Sequence, residues 1–184
     1  MLAEATGRLR RLVEDVSVVS RAEEGRLVLD RQPLDLRDLA TSAVAAARPA
    51  ADAAGITLEQ HLPATPVPID GDRDRLAQVM ANLLANAVEH TPARGTITIT
   101  VTSGDGDAGV EVTDTGAGIA PEHLPHVFER FYRADPARRR TGGSGIGLTI
   151  SRAIVRGHGG DLTVASGGEG SGTAVTIELP LTTG

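Results

Sequence analysis

The feature that most constrains this fold is the helical periodicity of residues 72–92, DRDRLAQVMANLLANAVEHTP, where Leu76, Val79, Met80, Leu83, Leu84 and Ala87 share one face. Asp72 stands at its start as an N-cap. A helix with one apolar stripe must bury it, and the flanking sequence supplies strands for that purpose. Residues 96–102 and 110–113 flank a GDGDAG turn, a hairpin signal, and residues 162–165 and 174–179 read as a closing hairpin. Upstream, Asp35 caps a predicted helix running through an alanine-rich stretch to Gly55, and residues 56–62 read as a strand ended by PATPVP. Residues 27–29 alternate like a short strand, residues 116–143 loosen into loop and short helix, and residues 144–158 read as helix. Leu2, Leu9, Leu12, Val13, Val16 and Val19 space as an amphipathic helix ending near Gly25; with no partner helix here, it reads as the stump of a helical pair rather than a helix docked on its own domain. No internal repeat occurs, and the grouping of helices and hairpins predicts an α+β sandwich, one sheet with helices on one face.

Composition narrows the function. The chain has 184 residues, 40% hydrophobic and 23% charged, with no cysteine, which suits a core built without disulfides and excludes thiolate metal sites and cysteine nucleophiles. All 18 basic residues are arginine, so a lysine-dependent P-loop, a Schiff base and a lysine general base are excluded. The net charge of -6 and the scattered arginines leave no electrostatic footprint for nucleic acid. No apolar run approaches the roughly 18 residues of a membrane span, and residues 1–11 do not read as a signal peptide, so the chain is expected to be soluble as it stands. The two Phe and the single Tyr (Phe128, Phe131, Tyr132) fall within five residues, which predicts an aliphatic core and one special aromatic cluster.

Three short patterns carry chemistry. Asn82 and Asn86 share a helix face with Gln78 and Glu89, roughly opposite the apolar stripe. Asparagine costs about half a kcal/mol against alanine inside a helix, so the pair marks either a solvated face or amides with a task. An amide oxygen suits Mg2+, which takes few protein ligands beside phosphate and water. Asp114-Thr-Gly116-Ala-Gly118 directly follows a strand; its carboxylate either closes an ordinary turn or accepts from an exocyclic amine such as adenine's, with glycines admitting a flat base. Residues 141–148, TGGSGIGL, run from a glycine-rich loop into an amphipathic helix, a place for phosphates or simply a flexible loop before a helix. No long parallel βαβ pattern surrounds it, which argues against a dinucleotide fold.

In this order and spacing, these elements resemble the catalytic, ATP-binding domain of bacterial sensor histidine kinases, within the superfamily that also holds gyrase and the heat-shock chaperone ATPases. QVMANLLANAVEHTP is similar to that family's asparagine box, DTGAG to its first glycine box, FERFYR to its phenylalanine box and GGSGIGL to its second glycine box. His158-Gly-Gly160 before a strand and the closing GSGTAVTIELP are similar to the family's ending. The resemblance spans about residues 26–180 and implies a two-layer α/β sandwich, one mixed, mostly antiparallel sheet packed on one face by about three helices, with an N-terminal helical stump. Residues 1–25 look like the end of the second helix of the dimerisation and phosphoacceptor domain, which leaves 26–184 as the ATP-binding kinase domain.

Residue by residue, the resemblance implies that Asn86 coordinates Mg2+ on the triphosphate of ATP, that Asn82 sits beside the phosphates, with His90 near them, and that Asp114 binds the adenine amine. Gly116, Gly118 and Ile119 would border the base, Gly143, Gly145, Gly147 and Leu148 would form the hinge and phosphate contact of a lid, and Phe128, Phe131 and Tyr132 would anchor that lid. Thr173 is a further adenine candidate. The implied partners are a phosphoacceptor and dimerisation domain and a response regulator. The full-length protein would be a homodimer on the cytoplasmic side of a membrane, this stretch alone being compatible with a monomer.

Two departures from the family pattern matter. Glu89 stands where a basic residue is common, so His90 or the arginine-rich lid is expected to supply the charge facing phosphate. None of the five histidines lies in a His-Glu-x-x-x-Pro phosphoacceptor motif, so the chain is expected not to phosphorylate itself but to act on a histidine elsewhere. His123 and His126 are three apart but lack a third ligand for a metal. Hydrolysing relatives place Glu where this chain has Asn82, and an amide takes no proton from water, which favours transfer over hydrolysis. A hydrolysing ATPase of the gyrase or chaperone type and a non-catalytic nucleotide-binding module are the alternatives, the second left open by Glu89 and the missing phosphoacceptor. Residues 133–143 carry little apolar surface, and a lid there is expected to be mobile without ligand.

Overall fold

Aspartates open two of the helices of the computed structural model, which describes residues 17–21, 26–104, 106–132 and 145–182. Asp35, in extended backbone, accepts from the N–H of Arg37 at 3.0 Å and starts α1 (Leu36–Ala54), which ends at Gly55 in the left-handed region. Asp72 starts α2 (Arg73–His90), its Oδ1 taking the N–H of Arg75 at 3.0 Å. The third helix, α3 (Gly147–Gly157), begins behind Ile146, whose side chain caps nothing. A 3-10 turn covers Leu124–His126.

Seven strands complete the described fold: β1 (Gln32–Asp35), β2 (Thr57–His61), β3 (Pro68–Gly71), β4 (Thr96–Ser103), β5 (Asp107–Asp114), β6 (Asp161–Ala165) and β7 (Thr173–Pro180). Five of them form the main sheet in the order β2-β4-β5-β7-β6, with β2 parallel to β4 and every other pair antiparallel. This is the mixed, mostly antiparallel sheet that the sequence led us to expect, with three helices over one face. Ile97, Ile99, Val101, Val110, Val112, Leu162, Ile177 and Leu179 bury toward the helices, while alternate residues such as Thr98, Thr100 and Glu111 occupy the open face. The stripe residues of α2 are each at most 4% exposed. At roughly 1.5–3 kcal/mol for each large buried side chain, that stripe fixes the rotation of α2 and thereby the direction of its polar face.

The structure corrects three local readings. Residues 27–29 form no strand: Leu27 and Leu29 alternate because both pack over Gly157 at the end of α3. The strand lies further on, at Gln32–Asp35, where it pairs antiparallel with Pro68–Gly71 in a separate two-stranded sheet. Residues 68–71 therefore continue as a strand beyond the prolines, with Pro68 as first residue, where its missing N–H costs least. Helix α3 is assigned from Gly147; residues 133–144 lie outside the described residues, as do 1–16 and 22–25. Residues 17–21 are helical, and Val18 and Val19, 4% and 2% exposed, belong to the same apolar cluster as the rest of the core.

Candidate functional site

Helix α2 carries Asn82, Asn86 and His90 at four-residue intervals, a gently turning line about 12 Å long. Each end of this line meets a different glycine-containing segment. At the His90 end lies the loop after β5, whose N–H groups find three separate partners: Gly116 donates to Asp114 Oδ1 (2.8 Å), Ala117 to the carbonyl of His90 (3.1 Å), and Ile119 to Ser166 Oγ (2.9 Å). A side chain at Gly116 would collide with the His90 carbonyl oxygen, and Gly118 sits at φ 68° against the carbonyl of Gly168. Only glycine suits both places.

Asp114 ends β5 half-buried and faces Thr173 across the β5–β7 ladder. Burial pushes its carboxyl above the ordinary carboxylate range, against the opposing pull of the backbone N–H groups of Gly116 and Thr173 and of nearby His90. The result is a carboxylate at a glycine-lined loop, suited to accept a hydrogen bond from a ligand's N–H or O–H.

At the other end of the line, Asn82 rests on the first turn of α3. Its Nδ2 lies 3.4 Å from both the Gly147 carbonyl and the Ser151 hydroxyl, two long hydrogen bonds that seat the helices together. The first N–H groups of α3, on Gly147, Leu148 and Thr149, have no acceptor inside the helix, and Ile146 offers no side-chain cap. With the helix dipole, this end is able to receive an anion. Leu148 packs against the core, and Gly145 accepts the N–H of Phe131 at 2.9 Å. Asn86 sits half-buried between the two ends, and Glu89 and His90 are exposed. Gly143 lies outside the described residues.

The aromatic cluster divides. Phe128 packs on the core, takes the Thr149 hydroxyl on its carbonyl (2.8 Å), and carries the Arg152 guanidinium 4.3 Å above its ring. The Tyr132 hydroxyl bonds His123 Nδ1 at 2.7 Å, and His126 stacks on Tyr132 while bonding Glu129 at 2.6 Å. Those contacts occupy the two histidines, and no group of three or more metal-ligating side chains occurs among the described residues. Phe131 is 64% exposed, at φ 64°, and holds Gly145 through its backbone N–H; the lid it is expected to anchor lies outside the described residues.

Three residues to which sequence reasoning gave no role at this site help to organise it. Ser166 binds the Asp114 loop, and fully buried Ser151 meets Asn82. Buried His158 donates from Nδ1 to the Ile154 carbonyl (2.8 Å) and accepts on Nε2 from the Asp72 N–H (2.9 Å), joining the end of α3 to the start of α2. Burial holds its pKa below the usual imidazole value, which keeps it in that neutral tautomer. A lone serine or histidine carries no local signal for such long-range bonds.

The family model for histidine kinase-, DNA gyrase B-, and HSP90-like ATPases matches residues 71–183. The histidine protein kinase DivJ of Caulobacter vibrioides is 36% identical over 181 residues, which cover 98% of this chain and 30% of DivJ. The chain thus spans between 30% and 38% of the first curated relatives it matches. Among solved structures, the mycobacterial sensor histidine kinase MprB aligns with a TM-score of 0.71 at 32% identity, over 82% of this chain and 97% of that one. Full-length ShkA in complex with AMPPNP aligns with a TM-score of 0.85 at 30% identity, over 98% of this chain and 37% of that one.

Proposed function

We propose that this chain, which belongs to the histidine kinase-, DNA gyrase B-, and HSP90-like ATPase family and is the ATP-binding catalytic domain of a sensor histidine kinase, presents the γ-phosphoryl of Mg-ATP to a histidine on a phosphoacceptor domain. The observation that carries this reading is the line along α2, with the Asp114 loop at one end and, at the other, the start of α3, where no side chain among the described residues caps the helix. Adenine sits at Asp114, where the carboxylate accepts from its amine and Gly116 and Gly118 leave room for the ring, with Ile119 and Thr173 beside it. The phosphates lie toward Gly145, Gly147 and Leu148, on the N–H groups of α3.

Asn86 suits Mg2+ because a single half-buried neutral amide asks little of an ion that keeps water and phosphate oxygens as its main ligands. When bound, that ion neutralises charge on the triphosphate. Asn82 seats α3 and provides no general base, so water is not activated and the γ-phosphoryl waits for an external nucleophile. Catalysis is then positioning and charge compensation. His90, exposed at the end of α2, lies at the Asp114 end of the line rather than beside the phosphates, so it is not the source of the charge facing them that the sequence led us to expect. The acceptor histidine passes the phosphoryl to a response regulator, and the assembled protein is a homodimer with this domain on the cytoplasmic side of a membrane. No helix among the described residues is long and apolar enough to cross one.

Incubation with γ-labelled ATP tests the reading. The chain alone stays unlabelled and releases little phosphate, whereas a separately supplied phosphoacceptor domain becomes labelled, and Asn86→Ala lowers that labelling by about a hundredfold or more. Acid-labile phosphate on the isolated chain would sink the transfer model. Labelling unaffected by Asn86→Ala would sink the metal assignment, and steady phosphate release without an acceptor would favour a hydrolase.

A further inference from the structure

The hydroxyl of Ser166, between β6 and β7, works at full capacity. It accepts from the N–H of Ile119 (2.9 Å) and of Gly168 (3.3 Å) and donates to the carbonyl of Gly172 (2.7 Å), which uses its one proton and both lone pairs. Gly170 N–H adds a bond to the Ala117 carbonyl at 2.6 Å, so the glycine loop 167–172 and the loop after Asp114 are stitched together across the β5–β7 edge. The stitch matters for geometry. Gly116 is held by Asp114 itself and Ala117 by the end of α2; the far side of the loop is held through Ile119 by Ser166.

We propose that Ser166 is a positioning residue for the base end of the site: its hydroxyl clamps the loop carrying Gly116, Gly118 and Ile119 in the place where Asp114 and adenine meet. The inference rests on the reading of Asp114 as the adenine carboxylate. With alanine at this position, the half-buried N–H of Ile119 and the carbonyl of Gly172 lose their partner, and the loop is released from one side while the phosphate end, about 12 Å away along α2, is untouched.

A double-mutant cycle on the whole chain tests it, with ATP affinity measured by calorimetry for wild type, Ser166→Ala, Asp114→Asn and the double variant. Ser166→Ala weakens ATP about tenfold in the wild-type background and less than about twofold when Asp114 is already Asn, and Ser166→Thr restores most of the loss. A general structural role gives equal losses in both backgrounds. That additive result, or no loss at all, overturns the proposal while leaving the nucleotide reading intact. Wild-type chain that binds no ATP overturns the nucleotide reading and this inference with it. Amide exchange of Ile119 in the wild type gives a second measure that does not depend on the variant folding: the N–H is expected to be protected, and exchange at the rate of a free loop refutes the clamp.

Discussion

Helices α2 and α3 pack against each other yet begin in opposite ways. The start of α2 is filled: Asp72 takes Arg75 N–H on one carboxylate oxygen and Asp30 N–H on the other, both at 3.0 Å, while its own N–H goes to His158. The start of α3 has Ile146 in the cap position, which forgoes the roughly 0.5–2 kcal/mol that a capping side chain contributes. A fixed anion closes one helix end, while at the other the residue in the cap position supplies none. The carboxylates repeat the division. Asp35 and Asp72, at helix starts, are held below the ordinary range despite the opposing effect of burial, whereas burial lifts Asp114 above it. Asp35 and Asp72 are spent on helix starts, and Asp114, lifted by burial, is the carboxylate that the proposed function assigns to a ligand.

The largest effect comes from making the two ends alike. Gly147 has room for a side chain, its nearest would-be neighbour being Asn82 Cγ at 3.8 Å. Gly147→Asp places a charge in the first turn of α3, where the dipole favours it by about 0.3–1 kcal/mol. On the proposed placement of ATP the same charge would face the triphosphate, and at about 5 Å with an effective dielectric near 20 the repulsion is roughly 3 kcal/mol. ATP affinity is expected to fall about a hundredfold while the melting temperature of the ligand-free chain holds or rises. Parallel loss of affinity and stability would break the comparison.

A smaller effect tests the lifted carboxylate. Asp114→Asn is expected to weaken ATP by about ten- to a hundredfold, the value of a charged hydrogen bond, and to leave GTP binding no weaker, because guanine offers an acceptor where adenine has its amine and the asparagine amide can donate to it. Only the ionised carboxylate gives this advantage. Because its pKa is raised, the wild-type advantage over Asp114→Asn should already shrink on acidification in the range above about 3.9, where an ordinary carboxylate has yet to titrate. The ratio cancels the titration of ATP itself, and a ratio constant over that range contradicts the assignment.

The same contrast explains what was legible in the sequence. The starts of α1 and α2 could be read because Asp35 and Asp72 act on N–H groups two or three residues away, and the apolar stripe of α2 is local periodicity. The site motifs could be read for a similar reason, since Asp114, Gly116 and Gly118 are neighbours in the chain. The β1–β3 sheet could not: Leu34 pairs with Ile69, and two prolines precede the second strand closely. The alternation at Leu27 and Leu29 misled because packing on one distant glycine imitates a strand. Ser166 and His158 act across long sequence separations, and Phe131 stands in an aromatic cluster yet turns outward. No local pattern encodes those outcomes.

The smallest expected effect concerns the filled end of α1. The Asp35 carboxyl is held at about 2, first by the side-chain hydrogen bond from Arg37, with burial opposing and the N–H groups of Arg37 and Val67 assisting. Because the folded-state pKa lies below the unfolded value near 3.9, this group's contribution is complete above about pH 4 and disappears as pH falls through about 2. Asp35→Ala should therefore lower the urea midpoint at neutral pH by an amount equivalent to about 0.5–2 kcal/mol, and the gap to wild type should begin to narrow below about pH 4. ATP affinity at neutral pH should change less than about twofold, since the anion-receiving end belongs to α3. A gap that stays constant or widens on acidification would mean that the cap is not the ionised carboxylate, and a matching loss of ATP affinity would mean that filled and open helix ends are not separable in this fold.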